Sequence, residues 1–101
     1  MIRSKNNHYF VYDFCNGKTL YDKIKAQSKI PESEAIGYFK EILNAFKILN
    51  KLKVIHRDLK PENILFHDEH LKVADFGLCK GLKEEESMTK TMVGSPIYMA
   101  P

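Results

Sequence analysis

Apolar positions along this chain change their spacing several times, and each change marks an element. Tyr9, Phe10, Val11, Tyr12, Asp13 and Phe14 form a short apolar run that predicts a strand. Cys15-Asn16-Gly17-Lys18 interrupts it, with Asn-Gly as turn chemistry. Thr19 to Ala26 predicts a short helix with Thr19 as N-cap and Leu20 and Ile24 on one side. The strongest pattern follows. Ile36, Phe39, Leu43, Phe46 and Asn50 recur at helical spacing, flanked by Ala35, Ile42, Ala45, Leu49 and Leu52. Pro31 and Ser33 supply start signals. The apolar stripe is wide, so this helix, about twenty residues and roughly 30 Å long, is expected to be buried on more than one side.

Beyond it the elements shorten. Val54-Ile55 is a brief apolar pair, and Ile64-Leu65-Phe66 and Leu71-Lys72-Val73-Ala74 bracket His67-Asp68-Glu69-His70 as a hairpin would. H-D-E-H lacks a metal-ligand spacing, so a solvated turn is expected there. Periodicity disappears from Gly77 to Gly94, where Glu84-Glu85-Glu86, Ser87, Thr89, Lys90 and Thr91 form a polar loop. There is no internal repeat, low-complexity tract or Pro/Gly-rich linker.

Composition narrows the class. With 101 residues, 44% hydrophobic and 29% charged, the chain suits one globular domain and lacks a disorder-type excess of charge. No apolar run reaches the roughly 18 residues that span a bilayer, so no membrane segment is expected. Met1 to Tyr9 carry no apolar core of a secretory signal. The net charge is +3, with acids and bases interspersed, which argues against a nucleic-acid partner. Cys15 and Cys79 form neither a C-x-x-C nor a zinc spacing, so a reducing cytoplasm or nucleus is the expected compartment. All basic residues but Arg3 and Arg57 are lysines. An arginine marks places where bidentate geometry matters.

The chemistry concentrates in His56-Arg57-Asp58-Leu59-Lys60-Pro61-Glu62-Asn63 and, after a strand, Asp75-Phe76-Gly77. Two carboxylates, an amide and an ammonium are thus carried on loops at the ends of paired strands. A carboxylate beside an ammonium suits proton acceptance next to a negative group. A carboxylate with an amide oxygen suits a hard cation such as Mg²⁺. The set together fits phosphoryl transfer, which is mostly positioning and charge neutralisation.

H-R-D-L-K-P-E-N followed by D-F-G resembles the catalytic and metal-binding loops of eukaryotic protein kinases. An eight-letter string of this kind arises by chance on the order of once in 10¹⁰ positions. Gly94-Ser95-Pro96-Ile97-Tyr98-Met99-Ala100-Pro101 resembles the family's approach to its A-P-E motif. The resemblance covers essentially the whole chain. It implies an α+β, partial protein-kinase fold over residues 1–101: hinge strand and linker at 1–18, helices and catalytic loop at 19–66, metal-binding loop and activation segment at 67–101. It implies that ATP and Mg²⁺ are used and that the substrate is a protein Ser/Thr hydroxyl. Asp58 would accept or orient the hydroxyl proton, and Lys60 would steady the transferring phosphate. Asn63 and Asp75 would hold Mg²⁺. His56 and Phe76 would join the hydrophobic column between the lobes. Tyr12 would be the gatekeeper, Asp13 C=O and Cys15 N–H would face the adenine edge, and Leu20 and Leu65 would sandwich the base. Thr19 stands where an acid usually bonds the ribose.

Thr91 matches the usual activating phosphosite, and Arg57 would pair with its phosphate. Ser95 would line the pocket for the residue after the acceptor. Glu84 to Glu86 would be a solvated stretch or a partial phosphate substitute, and Cys79 an inert or redox-sensitive thiol. Phe14-Cys15-Asn16-Gly17 and G-S-P-I-Y-M-A-P resemble autophagy-initiating ULK-type kinases, while D-F-G-L-C-K is closer to AGC-type kinases. A ULK-like or calcium/calmodulin-type relative is the subfamily expectation. The Gly-rich loop, strand Lys and helix Glu of the family are not among these residues, so the sequence reads as a piece of a kinase domain, inactive alone, with an uncovered apolar face on its long helix. A pseudokinase scaffold, a small-molecule phosphotransferase and a nucleic-acid module are the competing readings.

Overall fold

The structure, a computed structural model, describes residues 1–81 and 94–99. Thr91 and Glu84 to Glu86 therefore lie outside the described residues. The chain opens with a two-stranded antiparallel ribbon, β1 (Ile2–Arg3) and β2 (His8–Tyr9). Only Tyr9 of the expected apolar strand joins a ladder. Phe10, Val11, Tyr12 and Phe14 are exposed and unpaired in any described strand. Apolar sequence becomes strand only when a neighbour offers its N–H and C=O groups, and no described segment does so here.

Helix α1 (Leu20–Gln27) begins where the capping rules place it. The Thr19 hydroxyl accepts from Asp22 N (3.1 Å), and the Asp22 carboxylate accepts from Thr19 N (3.1 Å). This reciprocal capping box satisfies donors that the first turn leaves orphaned. The Thr19 bonds also hold the Asp22 carboxyl below its ordinary range.

Helix α2 (Glu32–Lys51) has the expected length, but Pro31 rather than Ser33 sits at its N-cap, without a side-chain cap bond. A proline preset to helical φ needs no N–H at the start of a helix. Glu32 and Glu34 in the first turn and Lys51 in the last complement the helix dipole. Lys23, Glu34 and Tyr38 form a hydrogen-bonded triad joining the two helices, and the Tyr38 ring meets Phe66 edge-on at 5.3 Å.

The expectation that α2 is buried on more than one side is not met among the described residues. Of its stripe only Leu49 is buried, while Ile36, Phe39, Leu43 and Ile48 remain exposed. The hairpin of β4 (Ile64–His67) and β5 (His70–Val73) packs against it through β5, and the short segment Val54–Ile55 adds to the contact, which leaves the rest of the helix open.

Strand β3 (Val54–Ile55) pairs antiparallel with β6 (Lys80–Gly81), bringing the segment after D-F-G back against the start of the catalytic loop. The β4–β5 connection is the two-residue turn Asp68-Glu69, both with positive φ (48° and 67°), as the right-handed strand twist demands. The linker runs beside β4. Gly17 N donates to Phe66 O (2.9 Å), Phe66 N to Lys18 O (3.0 Å), and Thr19 bridges Leu65. A Cβ on Gly17 would lie 2.6 Å from Phe66 Cβ, so only glycine permits this approach.

Candidate active site

Five described residues are buried: Leu49, Ile64, His56, Asp58 and Asn63. Three of these are polar, and all three come from the H-R-D-L-K-P-E-N string. The interior of this molecule is therefore a polar network, and buried polar groups are tolerated only when paired.

The pairing is thorough. His56 Nε2 lies 2.9 Å from Ala74 O, and Asp58 N donates to His56 Nδ1 at 3.3 Å. The His56 ring meets Phe76 at 5.0 Å between centroids and Phe46 at 6.3 Å. The catalytic loop, the D-F-G segment and α2 thus meet on one imidazole. Arg57 has φ 66°, a left-handed kink that turns the loop, and its Nε donates to Leu78 O at 2.6 Å. Gly94 has φ 120° and lies so close that a Cβ there would stand 2.2 Å from Arg57 O.

The Asp58 carboxylate collects three donors. Ser95 Oγ donates to Oδ1 (2.6 Å), Lys60 Nζ lies 2.9 Å from Oδ2, and Asn63 Nδ2 donates to Oδ2 (3.0 Å). Its backbone N–H is held by His56, while its carbonyl accepts from the same Asn63 amide at 2.9 Å. The Ser95 hydroxyl, then Lys60 and Asn63, bring the carboxyl down to about 2. Asp58 in turn holds the Lys60 ammonium above its ordinary value. Lys60 Nζ also donates to Ser95 Oγ at 2.9 Å, closing an Asp–Lys–Ser triangle between catalytic loop and activation segment.

The donor set for a cation is arranged differently. Asn63 gives its amide hydrogens to Asp58, which turns its side-chain oxygen away from that carboxylate. Asn63 C=O accepts from Ala74 N (2.8 Å), so Asn63 and Asp75 flank the open end of the β4–β5 hairpin. Asp75 is exposed, left-handed (φ 61°, ψ 72°), and accepts from Gly77 N at 3.3 Å. A carboxylate and an amide oxygen at this mouth are hard ligands that fit Mg²⁺ with waters completing its shell.

Asp75 also lines a cavity of about 510 Å³ with Tyr12, Asp13, Cys15 and Leu65, a volume in the usual range for small-molecule sites. Leu20 does not line it; it opens α1 instead, which packs against β4 and the Pro61–Asn63 turn. Asp58, Arg57 and Ser95 line a second cavity of about 210 Å³. Asn63 is bonded to a lining residue of each cavity, through its amide to Asp58 and through its carbonyl to Ala74 N. Burial raises the Cys79 thiol, which keeps it protonated and poorly nucleophilic at neutral pH.

Sequence reasoning did not anticipate the Ser95–Asp58 bond, the Arg57–Leu78 bond, or the link from Asn16 to Asp68. Each joins residues at least 20 positions apart. No periodicity encodes such pairs.

Comparison with known proteins identifies the family. The family described as protein kinase domain matches residues 1–101. The chain is 42% identical over 102 residues to the carbon catabolite-derepressing protein kinase of Candida tropicalis, covering 100% of this chain and 16% of that protein. It is 39% identical over 104 residues to CBL-interacting protein kinase 11 of Oryza sativa subsp. japonica, covering 100% of this chain and 21% of that protein. It is 43% identical over 94 residues to serine/threonine-protein kinase Sgk2 of Rattus norvegicus, covering 92% of this chain and 26% of that protein. The chain thus spans between about a sixth and a quarter of the length of these relatives.

Proposed function

The chain belongs to the protein kinase domain family, and from that premise we propose that the protein carrying it transfers the γ-phosphoryl group of ATP to serine or threonine hydroxyls of protein substrates. The observation that carries this reading is the Asp58–Lys60–Ser95 triangle, with Asn63 locked against Asp58.

Asp58 is the substrate-facing carboxylate. With its pKa near 2 it is fully ionised at neutral pH and is a strong hydrogen-bond acceptor but a weak base. Its role is to orient an incoming hydroxyl and to stabilise positive charge developing on the attacking oxygen. Late proton transfer suits the loose transition state of phosphoryl transfer. Lys60 supplies a positive charge beside that carboxylate. Its second bond, to Ser95, fixes where the activation segment stands relative to Asp58. Asn63 and Asp75 would hold Mg²⁺, which neutralises phosphate charge when bound. Tyr12, Asp13, Cys15 and Leu65 face the larger cavity and are assigned to the nucleotide base.

The Ser/Thr preference rests on Lys60 and Ser95 and on the named serine/threonine kinase among the relatives. The chain has no described helix long and apolar enough to cross a membrane. We assign the protein to the cytoplasm or nucleus from its cysteine usage. Phosphorylation of Thr91 is the proposed activating event, with Arg57 as its partner. The ULK-like assignment rests on the quoted hinge and G-S-P-I-Y-M-A-P residues alone. Radiolabel transfer from ATP to Ser-, Thr- and Tyr-containing peptides by the full-length protein tests the reading. Labelling of Ser and Thr peptides is expected, and Tyr-only labelling contradicts it.

A further inference from the structure

The linker and the tip of the β4–β5 hairpin are 52 residues apart in sequence, yet one side chain joins them. Asn16 Nδ2 donates to Asp68 Oδ1 at 2.7 Å, and Asp68 N donates back to Asn16 Oδ1 at 3.1 Å. Both halves of one amide are thus spent on one residue. We propose that this reciprocal pair is a positioning device that sets the height of the hinge over the nucleotide cavity. The inference deepens the kinase reading and rests on it.

The surrounding bonds give the pair its leverage. Asp68 is left-handed (φ 48°) and begins the turn that closes the hairpin. Asn16 supplies that strained residue's backbone N–H with an acceptor and its carboxylate with a donor. Immediately after Asn16, Gly17 N and Lys18 O bond to the Phe66 backbone, two residues before Asp68. Together these bonds lay the linker alongside β4, with one bridge from Thr19 to Leu65. Register matters because Cys15, directly before Asn16, and Leu65, in β4, line the same cavity. The hairpin's other end carries Asn63 and Asp75. A shift at the clasp therefore moves the base-facing residues relative to the metal-facing ones. Asn16 and Asp68 line neither cavity, so both act through the backbone they hold.

The test compares full-length protein with Asn16→Ala, Asp68→Ala and Asp68→Asn. Three quantities are read: KM for ATP, KM for peptide with kcat, and amide exchange of Gly17. Both alanine variants are expected to raise KM for ATP roughly threefold to tenfold, as losing one or two ordinary hydrogen bonds implies. Gly17 N–H should exchange faster, while kcat and peptide KM stay within about twofold of the parent. Asp68→Asn keeps an acceptor oxygen and tolerates left-handed backbone, so it should behave as the parent does. Two results overturn the inference: faster Gly17 exchange with unchanged KM for ATP, or equal changes in all kinetic constants, the mark of general unfolding. Absence of transfer by the unmutated protein removes the functional reading beneath it, and is recognised before any variant is made.

Discussion

At the scale of single residues, the site is governed by what surrounds one carboxylate. Asp58 is buried, a position that normally favours the neutral acid, yet its pKa falls to about 2. Donated hydrogen bonds outweigh desolvation, and Ser95 contributes most. Two outcomes are expected. Ser95→Ala should raise the Asp58 pKa, read by carboxyl-carbon NMR titration; no upward shift would show that the hydroxyl is not the main cause. Because the folded pKa lies below the ordinary 3.8, Asp58 adds stability that is present above about pH 4 and lost as pH falls toward 2. Stability of Asp58→Asn should accordingly lack this acid-side decline, measured by denaturation midpoints from pH 6 to pH 2. An unchanged pH dependence in the variant would contradict the linkage.

At the scale of elements, local rules and long-range contacts divide the fold between them. Thr19 announced α1, and the stripe from Ile36 to Leu52 announced α2. The apolar flanks of His67 to His70 announced the hairpin. These signals are local, so the sequence carries them openly. Tyr12 and Phe14 look the same on paper as Leu65 and Phe66, yet only the latter find a strand partner. The grouping of Asp58, Lys60, Asn63 and Asp75 at one end of the hairpin was legible because the residues lie within 18 positions and keep a motif spacing. Their tie to Ser95 spans 37 residues and passes through the backbone shape of Gly94. Gly94→Ala tests that shape. A side chain at φ 120° facing Arg57 O should cost about 1–3 kcal/mol and displace Ser95. A lower denaturation midpoint together with a raised peptide KM is expected. An unchanged midpoint would show that the close approach is not maintained in solution.

At the scale of the whole molecule, the chain is loosely covered. Its Cα radius of gyration is 15.7 Å, against about 13 Å for a compact domain of 100 residues. Ile36 is 47% exposed and Phe39 60% exposed on α2, so the longest helix presents apolar surface to solvent. Such a face associates or binds apolar dyes. The isolated chain is expected to self-associate at micromolar concentration, and Phe39→Lys, at an exposed residue that lines neither cavity, should reduce this. Monodisperse monomer in sedimentation for both forms would contradict it. Among the described residues, most of the buried ones form the polar network of His56, Asp58 and Asn63, which joins α2, the hairpin and the D-F-G turn. The residues proposed for phosphoryl transfer are therefore also those that hold the described fold together.

We propose that this network orients an alcohol for attack on ATP. The most direct test is phosphoryl transfer to a Ser/Thr peptide by full-length protein, comparing the parent with Asp58→Asn at matched ATP and Mg²⁺ under conditions where both are folded. The variant is expected to retain nucleotide binding and to lose roughly a hundredfold or more in kcat. Equal kcat in parent and variant would contradict the role given to Asp58 and the account built upon it.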